Sequence, residues 1–313
     1  MPFDIPVRRN TAAGSALLAV NIFQFLLLPG LAALRGHGWL LLIAPAALTS
    51  NTLWYLMHEA FHRSLHPDPR ANDAWGRVLS VAFGAPYEVV RFGHLMHHRF
   101  NGALIDRPDL YDSNRTGRLR ACLGYYTQLL GGLYFSEFCS FALFLGGRRL
   151  IARLLDGYFD SADPAEREMG RLAKRTFLAP DVVSRMRLDG LACYGLLAVS
   201  FGLYARAGLW FVPLVILGLR GFFVSIANNV PHYAQPTDDV LHGLSVRMSP
   251  RLTALMLNFN HHHTHHYMPT APWTELPRLH AERGERFDMH WLDATLIQLE
   301  GPIALRDLGK REE

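Results

Sequence analysis

This chain of 313 residues has few cysteines and a small net charge. The three cysteines, Cys122, Cys139 and Cys193, lie far apart in apolar surroundings, which argues against a disulfide framework or a thiolate metal site. We interpret them as small core residues. The 31 basic and 27 acidic residues leave a formal charge of only +4, and the arginines are scattered among acids. This balance argues against a nucleic-acid partner.

Charge is absent from two long apolar runs near the N-terminus. Residues 11–34 and 38–57 contain no Asp, Glu, Lys or Arg, and about 20 such residues are enough for an α-helix to cross the hydrocarbon core. Because only a few residues separate the runs, we predict an antiparallel transmembrane hairpin. Arg8 and Arg9 precede the first run and a second apolar run follows it, so we expect it to be retained rather than cleaved as a signal peptide.

A second hairpin is predicted from residues 190–205 and 207–230, with its turn at Arg206. Arg220 lies within the second of these runs. A charged residue there is costly in lipid, so we expect it near the inner end or facing protein. This hairpin returns the chain to the side from which it entered.

Two further segments are apolar but are predicted to lie at the membrane interface. Residues 74–90 are too short and are interrupted by glycine and proline. Residues 121–147 could cross once, but a single crossing would place the last histidine cluster opposite the others. We therefore predict an interfacial or re-entrant hairpin bent at Gly131 and Gly132. The arginine-rich residues 148–188 are typical of a cytoplasmic loop.

These patterns together predict an all-α membrane protein. Two transmembrane hairpins, four helices in all, would carry interfacial helices and a histidine-rich cytoplasmic cap. We interpret residues 1–313 as a single membrane-embedded domain.

Histidine is abundant where cysteine is not, and residues 261–266 contain five imidazoles. One upstream pair has i, i+4 spacing, and two triplets have i, i+3, i+4 spacing, so each set can project from one helical face and converge. Eight such ligands exceed what one tetrahedral ion needs, which favours a dinuclear site. Imidazole suits zinc, copper, iron and nickel, so spacing alone leaves the metal open. The clustered residues are His58 and His62; His94, His97 and His98; and His262, His265 and His266.

The motifs HxxxH, HxxHH and HxxHH, in this order between two predicted hairpins, resemble those of the integral-membrane fatty acid desaturase superfamily. The resemblance covers residues 58–267. It implies a non-haem di-iron centre that is completed by an asparagine and a histidine, four residues apart, after the last membrane helix. Asn228 and His232 match that pair. The implied metal ligands are His58, His62, His94, His97, His98, Asn228, His232, His262, His265 and His266.

The resemblance also implies a reaction and its partners. We expect an oxygen-dependent desaturase that introduces a double bond into a long-chain acyl lipid, with two iron ions as cofactor and O2 as co-substrate. The termini are too short for a fused cytochrome-like domain, so electrons should come from a separate donor such as a ferredoxin-type protein. We expect an integral protein of a bacterial inner membrane, with the histidine boxes and both termini in the cytoplasm.

Other functions remain open from the sequence. Lipid hydroxylases and carotenoid ketolases or hydroxylases of the same superfamily use the same boxes. Residues 58–62 also read HExxH, the motif of zinc proteases in which Glu59 would be the general base. Asp156 or Asp189, each followed by glycine, could mimic the third ligand of an intramembrane protease. A histidine-rich metal transporter or storage protein would place ligands within the membrane spans, whereas these histidines follow the helix ends.

Several histidines are excluded from the predicted centre. His261 and His263 should point to other faces of their helix, next to the site or at the surface. Lone histidines are more often exposed or hydrogen-bonded residues than metal ligands. We therefore exclude His37, His66, His242, His280 and His290.

Overall fold

The computed structural model describes residues 3–161 and 163–309, and helices dominate this part of the chain. Short 3-10 or π-helical segments connect or interrupt several of the α-helices. In chain order the α-helices are α1 (Val7–Ile22), α2 (Leu28–Arg35), α3 (Ile43–Phe61), α4 (Pro69–Phe83), α5 (Tyr87–Phe100), α6 (Arg118–Thr127), α7 (Leu133–Leu143), α8 (Arg148–Tyr158), α9 (Pro164–Phe177), α10 (Pro180–Arg206), α11 (Val212–Asn229), α12 (Pro250–Leu255), α13 (His262–Tyr267), α14 (Leu276–Glu282) and α15 (Trp291–Ile297).

Four two-residue strands form two small parallel ladders. Strand β1 (Leu110–Tyr111) pairs with β4 (Ile303–Ala304), and β2 (Val246–Arg247) pairs with β3 (Met289–His290). Both ladders join the C-terminal segment to distant parts of the chain, one after α5 and the other after α11. The predicted all-α class is therefore correct for most of the described residues. The two ladders are the exception, and each connects segments that are distant in sequence.

The N-terminal hairpin forms as predicted. Its first arm is a continuous helical segment, Val7–Arg35, in which a π-helical turn separates α1 from α2. The arm ends at Gly36, whose φ of 101° is readily adopted only by glycine. The second arm, His37–Phe61, begins as a 3-10 helix and continues as α3. From Leu53 onward α3 is buried throughout, which places its C-terminal end at the centre of the molecule.

The C-terminal hairpin consists of α10 and α11, joined by residues 207–211 directly after the predicted turn residue Arg206. Helix α10 begins ten residues before the predicted start, at Pro180, where proline occupies the first helical turn. Arg220 of α11 is buried and faces protein, as expected. Its guanidinium donates to the carbonyl oxygens of Ala82 and Phe83 at 2.8 and 2.6 Å and to Asn21 Oδ1 at 2.6 Å.

Helices α4 and α5 are adjacent and include the segment that was predicted to lie at the membrane interface. The Asp68 side chain caps α4 by accepting from the backbone N–H groups of Arg70 and Ala71. Helix α4 ends at Gly84, which has a φ of 91°, and α5 follows Pro86. Tyr134 also donates to the last carbonyl of α4, at 2.8 Å. The α4–α5 turn is therefore held by two neighbouring elements, and it orients the helix that carries the second histidine box.

Within residues 3–161 and 163–309, five helices are long and apolar enough to cross a membrane. This is one more than the four predicted to cross, because the segment predicted to be interfacial or re-entrant is also long enough. The additional one joins α6 and α7 through a π-helical segment with a non-helical residue, Gly131, at φ 114°. This is the predicted bend, and it lets Gly131 pack directly on Gly221 of α11. The five candidates are Val7–Arg35, His37–Phe61, Arg118–Gly146, Pro180–Arg206 and Val212–Asn229.

Candidate metal centre

Four parts of the chain bring nine of the predicted ligands into one region. Helix α3 presents His58 on its last turn and His62 immediately beyond it. Helices α5 and α13 carry the second and third histidine boxes. His232 lies in the turn that follows α11. The boxes are far apart in sequence, so their convergence is a property of the tertiary fold.

The first histidine group contains five imidazoles with ligand nitrogens within 4.8 Å of one another: His58, His62, His94, His98 and His265. The Nε2 atom of His94 lies 2.7 Å from that of His62 and 3.0 Å from that of His98. The Nε2 atoms of His98 and His265 are 3.1 Å apart. The ring of His58 packs against those of His62, His94 and His265, with centroids 4.1–4.7 Å apart. This geometry points several nitrogen lone pairs at one small volume.

The second histidine group contains four imidazoles under the same criterion: His97, His232, His262 and His266. The Nε2 atom of His266 lies 3.2 Å from that of His97 and 3.1 Å from that of His262. The Nε2 atoms of His262 and His232 are 2.8 Å apart. The group joins the second box, the third box and the turn after α11.

The i, i+3, i+4 boxes divide between the groups instead of each facing one position. On α5, His94 and His98 join the first group and His97 joins the second. On α13 the division is reversed, because the i, i+4 pair joins the second group and His265 joins the first. On a helix, the side chains at i and i+4 stack most closely. The side chain at i+3 lies on the other side of the line that joins them. The expectation that the imidazoles of each triplet converge from one helical face is therefore wrong, because each triplet contributes to both groups.

The residues present fit metal ions. Both ring nitrogens of His58 are buried without a hydrogen-bond partner among the described residues, and the Nε2 atoms of neighbouring group members face one another, which is costly unless another group satisfies them. Burial, followed by repulsion from neighbouring imidazoles, lowers the pKa of His98 to about 2 and that of His262 to about 3. The neutral ring is the form that binds a metal. The two groups are thus suited to two ions.

A carboxylate that the sequence analysis missed supports the second group. Asp106 Oδ2 lies 2.6 Å from Nδ1 of His97. A carboxylate at this nitrogen favours a proton on Nδ1 and leaves Nε2 of His97 free toward His266. Asp106 lies in a 3-10 segment eight residues after the second box, and no spacing rule connects it to His97. Only its position in sequence, as an acid soon after a histidine box, could have suggested it.

The opposite face of α13 carries a separate polar network centred on Glu285. Thr264 donates to Glu285 Oε2 at 2.5 Å, and Nδ1 of His280 lies 3.1 Å from the same oxygen. His263 Nδ1 is 3.6 Å from Oε1 of Glu285, and His261 packs against the ring of His280 with centroids 4.6 Å apart. His261 and His263 therefore lie outside both groups, as predicted. The network contacts α13 on the face that points away from the two groups.

Asn228 lies beside the second group. It lines a cavity of about 30 Å³ together with His262, and aromatic residues such as Tyr55 and Phe259 form part of the same wall. That volume is comparable to one water molecule. The role of Asn228 as a ligand stays a prediction, supported by this shared cavity.

Glu59, the candidate general base of the zinc-protease alternative, makes structural contacts with distant parts of the chain. It is buried, and its Oε2 accepts the backbone N–H of Trp273 at 3.2 Å. The indole N–H of Trp273 in turn donates to Asn10 Oδ1 at 2.9 Å. Glu59 thus connects α3 with the C-terminal segment and with α1. Its carboxylate is thus engaged in a structural contact, whereas the zinc-protease alternative needs it as the general base.

The two aspartates proposed as a third protease ligand also serve elsewhere. Asp156 pairs with Lys174 of α9. Asp189 accepts from Arg77 at 2.6 and 3.1 Å in a bidentate pair. Neither joins the histidine groups of the described residues. Both carboxylates therefore fix helices to one another.

The five excluded histidines remain outside both groups of the described residues. Two have evident local roles at the start of a helix. Nδ1 of His66 accepts the backbone N–H of Asp68, and Nδ1 of His290 accepts that of Leu292. The excluded residues are His37, His66, His242, His280 and His290.

Comparisons with known proteins agree with this geometry. The family model described as fatty acid desaturase matches residues 34–295. The chain is 25% identical over 281 residues to "Omega-6 fatty acid desaturase, endoplasmic reticulum isozyme 2" of Glycine max. That alignment covers 82% of this chain and 68% of the Glycine max protein. No solved structure matches.

Proposed function

Because this chain belongs to the fatty acid desaturase family, we propose that it is an oxygen-dependent di-iron desaturase that introduces a double bond into a long-chain acyl lipid. Membership of the family makes it an oxidoreductase acting on an acyl lipid in a membrane. The single observation that carries the finer proposal is the convergence of nine histidines into two adjoining groups. Neither a mononuclear zinc site nor a row of transport sites requires this arrangement.

In the proposed centre the first histidine group holds one iron ion and the second group, with Asn228, holds the other. Bound there, the two ions would supply the activation of dioxygen and the oxidation of an unactivated acyl C–H pair. Burial lowers the pKa of His98 and of His262, so both rings stay neutral and able to bind a metal. Asp106 fixes the ring of His97 by accepting from Nδ1.

The surrounding residues limit access of water to this volume. Phe61 packs on the rings of His58 and His94, and Phe259 packs on those of His58 and His265. The aromatic contacts hold the imidazoles in their orientations. A dry, fixed pocket is what a reaction on an unactivated C–H bond requires, because water would compete with the acyl chain for the reactive position.

The membrane arrangement of the proposal follows from the shared position of the boxes. If all five candidate helices crossed, the third box would lie opposite the first two, yet the three boxes meet. The bend at Gly131 supports a re-entrant path for Arg118–Gly146, with two crossing hairpins beside it. The proposal treats residues 1–313 as one domain, with the boxes on the cytoplasmic side and electrons from a separate ferredoxin-type donor.

Elemental analysis tests the metal. Protein purified after expression with ample iron should contain about two iron atoms per chain, because the two groups offer enough ligands for two ions. A single zinc without iron under those conditions would remove the di-iron proposal.

Lipid profiling tests the reaction. A host that expresses the chain should accumulate acyl chains with one more double bond than a host that expresses the His265→Ala variant. Because a new double bond, a new hydroxyl and an altered carotenoid change mass differently, one profile separates the proposed reaction from hydroxylation and from carotenoid oxidation. A new hydroxylated lipid or carotenoid without a new double bond would contradict desaturation.

A further inference from the structure

Helix α8 carries an apolar stripe that the protein leaves uncovered. Leu150, Leu154 and Tyr158 are one turn apart, on one line along the helix. They are 40%, 41% and 70% exposed. A neighbouring stripe of α8 packs into the core, since Ile151 is buried and Leu155 packs against the main hydrophobic cluster. The apolar surface of α8 is therefore wider than the contact that the protein makes with it.

The adjacent helix α9 shows how a water-facing helix of this chain differs. It packs against α8 and buries its own apolar stripe, including Met169 and Phe177. Its exposed residues are charged, with Arg167, Arg171 and Arg175 at successive turns. Both helices belong to the same arginine-rich segment, so the uncovered leucines of α8 are not a general feature of that region.

Two arginines lie beside the uncovered stripe. Arg149 and Arg153 are exposed and one turn apart, and neither makes an ion pair with any described residue. The acid on their side of α8, Asp156, is already paired with Lys174. This leaves two free cations at the border of an apolar face, the distribution expected where acyl chains meet lipid headgroups.

The stripe is also continuous with surface that a membrane would cover. Helix α8 begins directly after the candidate span Arg118–Gly146, whose last turns expose Leu143 and Leu145. Gly147, at φ 81°, redirects the chain between the two. Arg187 of α10 fixes this corner by donating to the carbonyl oxygen of Phe144 at 2.8 Å. An interfacial helix at this position extends a lipid-facing surface instead of starting a new one.

We propose that α8 lies in the membrane interface and is a binding surface for anionic lipid. The leucines and Tyr158 enter the acyl-chain boundary, and the guanidinium groups of Arg149 and Arg153 bind headgroup phosphates. This surface follows from the membrane setting of the chain and does not depend on the metal or on the reaction.

Depth measurements test the position of the helix. A nitroxide is attached at Leu154→Cys, and in a separate protein at Arg171→Cys of α9, after the three native cysteines are replaced by alanine. In full-length protein in lipid nanodiscs, the label at 154 should be relaxed more by oxygen and the label at 171 more by a water-soluble nickel chelate. Equal access of the chelate to both labels would overturn the proposal. Spin–spin broadening at 154 would overturn it as well, by identifying a second copy of the chain as the occupant.

Lipid titration tests the headgroup contact without altering any cysteine. The Arg149→Gln, Arg153→Gln variant should bind phosphatidylglycerol about tenfold or more weakly than the unaltered protein in native mass spectrometry, with phosphatidylcholine unaffected. The matched control, Arg167→Gln with Arg171→Gln, removes the same charge at the same spacing from α9 and should change binding little. An equal loss in both variants, or no loss in either, would overturn the assignment of the phosphate contact to α8.

Discussion

The first and second histidine groups share helices α5 and α13, but they differ in their other sources, in the number of imidazoles and in the residues that support them. The first has five imidazoles and draws two of them from the buried end of α3. The second has four, and its His97 contacts the carboxylate of Asp106. The second group also adjoins the small cavity that Asn228 and His262 line. The group with one imidazole fewer is therefore the one that lies beside the amide side chain of Asn228.

For the proposed centre, this difference predicts two inequivalent metal positions. The first group is enclosed by rings that pack on one another and on Phe61 and Phe259. The second group has an orienting carboxylate outside the histidine boxes, and its completion by Asn228 is part of the proposal. Substitutions that affect one group and not the other test this difference.

The largest effect is expected at the first group. His265→Ala removes one of its five imidazoles and the contact with Nε2 of His98, and it leaves a wrongly filled metal position. We expect desaturation to be lost in lipid profiles of the host. The matched variant His263→Ala alters a neighbour on α13 outside both groups and should keep most activity. Equal tolerance of the two changes, in protein shown to be inserted in the membrane, would mean that the faces of α13 are wrongly assigned.

At the second group, loss of the Asp106 carboxylate should lower iron affinity less than loss of a ligand would, but the effect should still be large. Asp106→Asn keeps the shape of the side chain and removes its charge from Nδ1 of His97. Iron affinity should fall by roughly 10- to 100-fold, as is usual when such a partner of a metal-bound histidine is changed. Iron titration of the apoprotein measures this. Asp160→Asn, an exposed change in the loop after α8, is the control, and unchanged iron binding in Asp106→Asn would remove the role given to that carboxylate.

A smaller effect is expected from Asn228, because the other members of the second group remain. Asn228→Ala should weaken iron binding by about tenfold or less, and in Mössbauer spectra the signal of one iron should change while the other stays. Asn229→Ala is the control, since Asn229 donates to Tyr125 and Gln298 and serves structure. That variant should lower the melting temperature without altering the spectrum. Identical spectra for Asn228→Ala and the unaltered protein would show that the amide is not a ligand.

The smallest effect is expected at Glu59, although it adjoins His58 in the first group. Glu59→Gln keeps an oxygen that can accept the backbone N–H of Trp273, so the cost in unfolding free energy should be about 1 kcal/mol. Desaturation should persist, as lipid profiling can measure. Complete loss of activity with unchanged iron content and unchanged melting temperature would contradict this and would return Glu59 to the role of a proton-transferring group.

The sequence predicted the elements of the site better than their arrangement. Histidine spacing on a helix is a local property, so the i, i+4 pairs could be recognised from residue numbers alone. Whether His97 joins His94 or His262 depends on how α5 and α13 are rotated against each other, which only tertiary packing decides. Asp106 reaches His97 from an irregular segment that no periodicity describes.

The fold was predictable to a similar extent. Uncharged runs identified both hairpins, and paired glycines identified the bend near Gly131, because these signals are local. Helix α10 begins earlier than its apolar run, since Pro180 starts a helix whose first turns pack against protein instead of lipid. Residues 121–147 were recognised as long enough to cross once, and Arg118–Gly146 is a candidate span of the described residues, but length and composition alone do not separate a crossing helix from a re-entrant one.

The division of each histidine box between two groups has a consequence for assembly. Helices α5 and α13 each contribute to both groups, so an ion that fills one group fixes the rotation of both helices. In the proposed di-iron centre, most of the conformational entropy of the second group is then lost before its own ion binds, so we expect the two ions to bind cooperatively. Partly loaded protein should be a minor species at every iron concentration, and the half-filled state should exchange its ion faster than the fully loaded one.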